Sequence, residues 1–142
     1  SESGKERLVE GLVERLVENE TGSQIGSAVL ELKKEFGTIK KRINLGVEEN
    51  IRFLRINYGV FTGYLRGKYG LNPEKITTEF GERSLWIIML MSIEPSLSRS
   101  NIAEIIGTSL STIEKDVRKL RKAKIIERKG SAKTGLWQIL EN

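Results

Sequence analysis

The stretch from Arg99 to Lys122 constrains the fold more than any other part of the chain. It reads as two short helices, Arg99 to Ile106 and Leu110 to Lys122, separated by Gly107-Thr108-Ser109. Ile102, Ala103, Ile105 and Ile106 share one side of the first helix, and Ile113, Val117 and Leu120 share one side of the second. A small residue is needed where the second helix crosses the first, and Ala103 supplies it. Gly107 follows four residues later and lets the chain reverse without a Cβ clash, and Ile113, ten residues after Ala103, locks the pair together. The pattern Ala-x-x-x-Gly-x-Ser-x-x-Thr-Ile is the spacing of a helix-turn-helix, with Thr108 standing where an apolar residue is more usual.

The flanks narrow the choice further. Leu85 to Ile93 is a strongly apolar helical run ended by Glu94-Pro95. Ile125 to Lys129 reads as a strand, Gly130 to Gly135 as a turn, and Leu136 to Leu140 as the antiparallel partner strand. A helix-turn-helix followed by a basic hairpin predicts a winged helix-turn-helix domain over residues 84–142. The expected fold class is therefore mainly α with a small β-hairpin wing, preceded by an N-terminal helical hairpin or coiled-coil-like region.

Charge is distributed accordingly. Residues 1–95 carry 14 Lys/Arg against 14 Asp/Glu, whereas residues 96–142 carry 10 against 5, so the whole formal charge of +5 lies in the back segment. A neutral front and a basic back point to a polyanionic partner, the alternative being a solubilising surface. On a helical wheel of about 100° per residue, Ser111, Thr112, Lys115, Arg118, Lys119 and Lys122 face away from the apolar stripe. Hydroxyls near the N-terminal end and cations behind them suit a helix entering the major groove of double-stranded DNA. With Ser109 at the helix start and Arg128, Lys129 and Lys133 of the hairpin, these are the candidate DNA-binding residues. Ser111, Thr112 and Lys115 are expected at base edges, and Lys122 and Lys133 at phosphates. Glu114 and Asp116 fall to the sides, where they can pair with Arg118 and Lys119. Trp137 is expected to pack on the core.

The front of the chain is helical by pattern. Leu-Val pairs at 8/9, 12/13 and 16/17 give residues 1–22 an amphipathic helix, marginal on its own and weakened by about 1 kcal/mol at Gly11. Thr21-Gly22-Ser23 interrupts it. Over residues 23–83 two seams follow with spacings 4, 3, 4, 3, 4. The first is Ile25, Val29, Leu32, Phe36, Ile39 and Ile43; the second is Val47, Ile51, Leu54, Tyr58, Phe61 and Leu65. They predict an antiparallel hairpin joined at Asn44-Leu45-Gly46. The apolar surface suggests a homodimer through Ile25, Val29, Leu32, Phe36, Ile51, Leu54, Tyr58 and Phe61, the alternative being an intrachain core. Asn72 and Pro73 start a further short helix that Gly81 ends.

Other functions find little support. The chain has neither cysteine nor histidine, which removes disulfides, zinc sites of the usual kind and catalysis by a histidine base or thiolate. No metal or other cofactor is expected. Gly130-Ser131-Ala132-Lys133-Thr134 superficially suggests a phosphate loop but lacks its glycines and its strand-to-helix context. Glu48 and Glu49 are carboxylates among exposed helix charges, so no enzyme is expected. No run of about 18 apolar residues occurs and no signal peptide is visible, so no membrane partner and a cytoplasmic location are expected. The start Ser1-Glu2-Ser3-Gly4, without Met, is what a C-terminal piece of a longer protein would show.

The segment Ile125-Ile126-Glu127-Arg128-Lys129-Gly130-Ser131-Ala132-Lys133-Thr134-Gly135-Leu136-Trp137 resembles the wing that ends many predicted transcriptional regulators of bacteria and archaea. These are RecG-like, helicase-related proteins with an N-terminal AlbA-type domain, and Fic-family proteins carry a similar tail. Residues 8–19 resemble the stretch those proteins place before the winged helix, although here Thr21 to Arg83 intervene. The resemblance implies DNA-binding regulation without catalytic residues. The alternative function is a winged helix that serves as a protein-interaction or oligomerisation appendage of a larger enzyme.

Overall fold

A computed structural model describes residues 26–131 and 133–141. The amphipathic segment of residues 1–22, Ile25 and Ala132 lie outside the described residues. The chain is mainly helical and closes on a two-stranded antiparallel hairpin. Helix α1 covers residues 26–36. It is followed by α2 (Ile39–Leu45), α3 (Val47–Ile56), α4 (Tyr58–Tyr69), α5 (Pro73–Phe80), α6 (Glu82–Ile93), α7 (Arg99–Ile106) and α8 (Leu110–Lys122), then β1 (Ile126–Lys129) and β2 (Leu136–Ile139).

The two seams do not form two long helices. The first breaks at Gly37-Thr38, where the Thr38 side chain accepts from the Lys41 amide and caps α2. The second breaks at Asn57, whose side-chain amide donates to the Phe53 carbonyl at 2.9 Å and so competes with the helical ladder. Polar residues that can satisfy backbone groups locally thus cut each heptad run in two. The apolar spacing survives the breaks, since Ile39 and Ile43 still pack against the core.

Helix α6 is the centre of the molecule. Leu85, Ile87, Ile88, Met89, Leu90, Met91 and Ile93 are all buried, so the helix is apolar on every side, as a helix enclosed by others must be. It packs against α4, α5, α8 and β2. One hydrophobic cluster runs from Val29 to Ile139 and includes Phe36, Phe53, Leu54, Phe61, Ile113, Leu120 and Trp137. The seam side chains Val29, Leu32, Phe36, Leu54 and Phe61 therefore face the interior of their own chain. Ile51 is half-buried and Tyr58 is exposed. The apolar surface that suggested a second chain is largely covered within one, because α2 and α3 pack on α7. Leu30, Leu45, Val47 and Ile56 of the front helices remain exposed.

A buried polar node fastens the front helices to α7. Arg42 of α2 is 3% exposed and lies over the rings of Phe53 and Phe36, 4.3 and 5.4 Å from their centroids. Its guanidinium donates to the Glu35 carbonyl at 2.7 Å and the Phe36 carbonyl at 3.2 Å, with the Asn50 side-chain oxygen at 3.5 Å. The Asn50 amide in turn donates to the Ile105 carbonyl of α7 at 3.1 Å. Burial pushes Arg42 below its ordinary pKa, opposed by the nearby carboxylates of Glu35 and Glu49. The heptad pattern marks these positions only as polar.

Candidate nucleic-acid interface

Helices α7 and α8 and their turn are built by local chemistry at every joint. Ser98 and Asn101 form a reciprocal cap at the start of α7. At its end Gly107 adopts φ +82°, and the amides of Gly107 and Thr108 both donate to the Ala103 carbonyl. A Cβ on Gly107 would sit 2.6 Å from a Val47 methyl, so the turn also serves as the seat for α3. Ser109 starts α8: its hydroxyl accepts from the Thr112 amide at 3.2 Å and lies 2.8 Å from the Thr112 hydroxyl.

Helix α8 is anchored by Ile113, Val117 and Leu120, which are buried, and by one ion pair. Asp116 is itself buried and receives Arg83 of α6 at 2.6 and 3.3 Å. The sequence places Asp116 beside Lys119; in the structure it points inward to a residue 33 positions away. The hydrogen bond that Arg83 donates to the Asp116 carboxylate raises the Arg83 pKa above its ordinary value. With Asp116 turned inward, the outer face of α8 keeps its cations.

That outer face carries Ser111, Lys115, Arg118 and Lys122, all exposed and spaced 4, 3 and 4 along one stripe. Lys119 is exposed beside it, whereas Thr112 is half-buried against Ser109. The hydroxyls of Ser109 and Thr112 are thus engaged in the cap, and the exposed Ser111 hydroxyl on this stripe lies 3.3 Å from that of Ser109.

The hairpin places its cations differently. Lys129 and Lys133 are exposed, and Lys129 meets Glu127 at 3.1 Å. The tip is closed by hydrogen bonds from the Thr134 amide to the Ser131 hydroxyl and from the Gly135 amide to the Ser131 carbonyl. A Cβ on Gly135 would overlap the Ser131 carbonyl and lie 2.7 Å from that of Lys129, so glycine is required for this close approach. Arg128 is half-buried and sits 4.8 Å from the centroid of Trp137, its partner in the strand register. Trp137 is 4% exposed, and its indole N–H donates to the Leu97 carbonyl at 2.7 Å.

Two cations in this region have no place in the sequence reading. Arg99, the first residue of α7, lies 4.9 Å from the Trp137 centroid. Arg121, in the last turn of α8, borders with Arg99, Glu114, Arg118 and Lys122 an open cleft of about 540 Å³. Burial lowers the Arg99 pKa, the charges of Arg121 and Arg128 lower it further, and Glu114 opposes them. Arg121 is visible in the sequence as one more charge on α8. The meeting of Arg99 with Trp137 is a contact across the fold with no local signal.

No protein-family model, curated protein or solved structure gives a significant match to the chain. Among the described residues no group of acidic side chains is placed to hold a metal ion, and no helix is long and apolar enough to cross a membrane.

Proposed function

We propose that the chain binds double-stranded DNA as a module of a transcriptional regulator, with α7, its turn, α8 and the hairpin forming a winged helix-turn-helix. The observation that carries this is the exposed stripe of Ser111, Lys115, Arg118 and Lys122 on a helix whose other side is anchored in the core. In this reading α8 enters the major groove. Ser111 and Lys115, in its N-terminal half, meet base edges, while Arg118, Lys119 and Lys122 meet phosphates. Lys129 and Lys133 bring the hairpin to the backbone.

The contacts separate by their effect on sequence preference. In a selection from random duplexes by the full chain, Lys115→Ala relaxes preference at one or two positions, at about 1–3 kcal/mol per lost base contact. Lys122→Ala weakens all sequences alike. If Lys122→Ala reshapes the preferred sequence and Lys115→Ala leaves it untouched, α8 is placed the wrong way round.

Among the described residues of the front helices, the exposed Leu30, Leu45, Val47 and Ile56, and not the buried seam side chains, are open to pairing of two copies, which would match two half-sites of a palindrome. Sedimentation at tens of micromolar reads it directly. The same exposed side chains favour a second function, contact with another protein. A folded chain that ignores DNA while Val47→Asp abolishes capture by a partner would select it.

A further inference from the structure

We infer that Arg99 and Arg121 form a phosphate-binding site on the flank of α8, with Arg99 seated beside Arg128 on the ring of Trp137. The site adjoins the outer stripe of the helix, since Arg118 and Lys122 of that stripe also border the cleft. Its three arginines come from three elements, α7, α8 and β1: Trp137 brings Arg99 and Arg128 together, and the cleft brings Arg121 beside Arg99. The indole is fixed twice, by its side-chain hydrogen bond to the Leu97 carbonyl and by its backbone amide to the Pro95 carbonyl at 2.9 Å. On that fixed ring rest the guanidiniums of Arg99 and Arg128, 4.9 and 4.8 Å from its centroid. A ring held this way costs the arginines little further ordering when an anion arrives.

Charge balance identifies the ligand class. The cleft that Arg99 and Arg121 border contains four cations and a single carboxylate, Glu114. Burial depresses the Arg99 pKa, and the like charges of Arg121 and Arg128 depress it further. Guanidiniums remain protonated under such pressure, so the repulsion is relieved by an anion and not by loss of a proton. Planar donor forks converging on one open cleft match phosphate oxygens, which they can engage in pairs.

The phosphate can come from a DNA strand or from a free polyphosphate. The DNA source rests on the function proposed above, and the phosphate chemistry itself does not. The test uses the full chain, Arg99→Gln and Arg121→Gln, with folding of each checked by circular dichroism, and two probes: duplex DNA titrated from 50 to 200 mM salt, and inorganic tripolyphosphate followed by calorimetry. A backbone site predicts that each substitution weakens binding to every duplex by about five- to tenfold at 100 mM salt and reduces the salt slope by about one. If the chain binds no DNA but binds tripolyphosphate, and both substitutions abolish that binding, the site stands with a free ligand and the DNA function falls. If DNA binds with an unchanged slope in both variants and tripolyphosphate does not bind, the site is refuted while the DNA function stands. If neither probe binds the folded chain, both are refuted. Arg99→Lys separates the platform from the charge. It keeps the cation but gives up the planar stack, and should recover less than half of the lost affinity.

Discussion

Replacing Arg42 with methionine tests whether the buried polar node holds the front helices on α7. Methionine keeps the apolar stem and removes the guanidinium. The Phe36 carbonyl loses a donor in a buried site, and the Glu35 carbonyl loses one in a half-buried site. Each such loss costs about 1–3 kcal/mol. The stack on Phe53 at 4.3 Å adds about 1–2 kcal/mol, as expected for a desolvated cation–π contact. Against this, the variant no longer buries a charge, which returns part of the sum. A net loss of about 3 kcal/mol is expected, a large share of the roughly 5–15 kcal/mol available to a domain. In urea, with an m-value of about 2 kcal/mol/M, the midpoint should fall by about 1.5 M at unchanged slope. Arg42→Lys should recover less than half, because an ammonium cannot reach two carbonyls and stack on a ring at once. A midpoint within about 0.5 M of the parent would refute the reasoning, and the node would then be a tolerated burial and not a fastener.

Two further substitutions probe the joints of α8. Gly107→Ala should cost about 1–2 kcal/mol in thermal or urea unfolding from its left-handed φ, with an added penalty for overlap with Val47; in the double variant with Val47→Ala the overlap is relieved and the φ penalty remains. Full rescue by Val47→Ala would show that backbone conformation does not matter there. Arg83→Ala should cost about 1–2 kcal/mol, because it leaves the buried Asp116 carboxylate alone on α8, and the figure is kept low because the Arg83 side chain is 43% exposed and screened. Adding Asp116→Ala should return part of that loss in a double-mutant cycle, and purely additive effects would mean the two do not interact.

The back half of the molecule was legible because its signals are local. Gly107 and Ser109 mark helix ends by chemistry that acts within three or four residues, and α7 and α8 fall where the sequence places them. Asn72 and Pro73 did the same for α5. The hairpin differs from its expected bounds by one residue at each outer end. The front was misread where local capping overrides periodicity. A spacing of 4, 3, 4, 3, 4 continues through Thr38 and Asn57, but those residues end helices that the spacing alone would extend. Partners distant in sequence had no signal at all. Asp116 reaches Arg83, Asn50 reaches Ile105 and Arg99 reaches Trp137 only because the core brings those elements together. The candidate site divides along the same line. The outer stripe of α8 follows from the wheel, whereas the engagement of Ser109 and Thr112 in the cap and the withdrawal of Arg128 onto Trp137 depend on the folded geometry.

The central claim is that α8 and the hairpin bind the backbone and grooves of duplex DNA. It is tested most directly by fluorescence anisotropy of the full chain against a random duplex from 50 to 200 mM salt. Contacts from Arg118, Lys119, Lys122, Lys129 and Lys133 predict that the logarithm of the binding constant falls against the logarithm of salt with a slope of about −4.5. The combined variant Arg118→Ala/Lys122→Ala should bring that slope to about −2.7. Salt-independent binding, an unchanged slope in the variant, or no binding by a chain that circular dichroism shows to be folded would contradict the account.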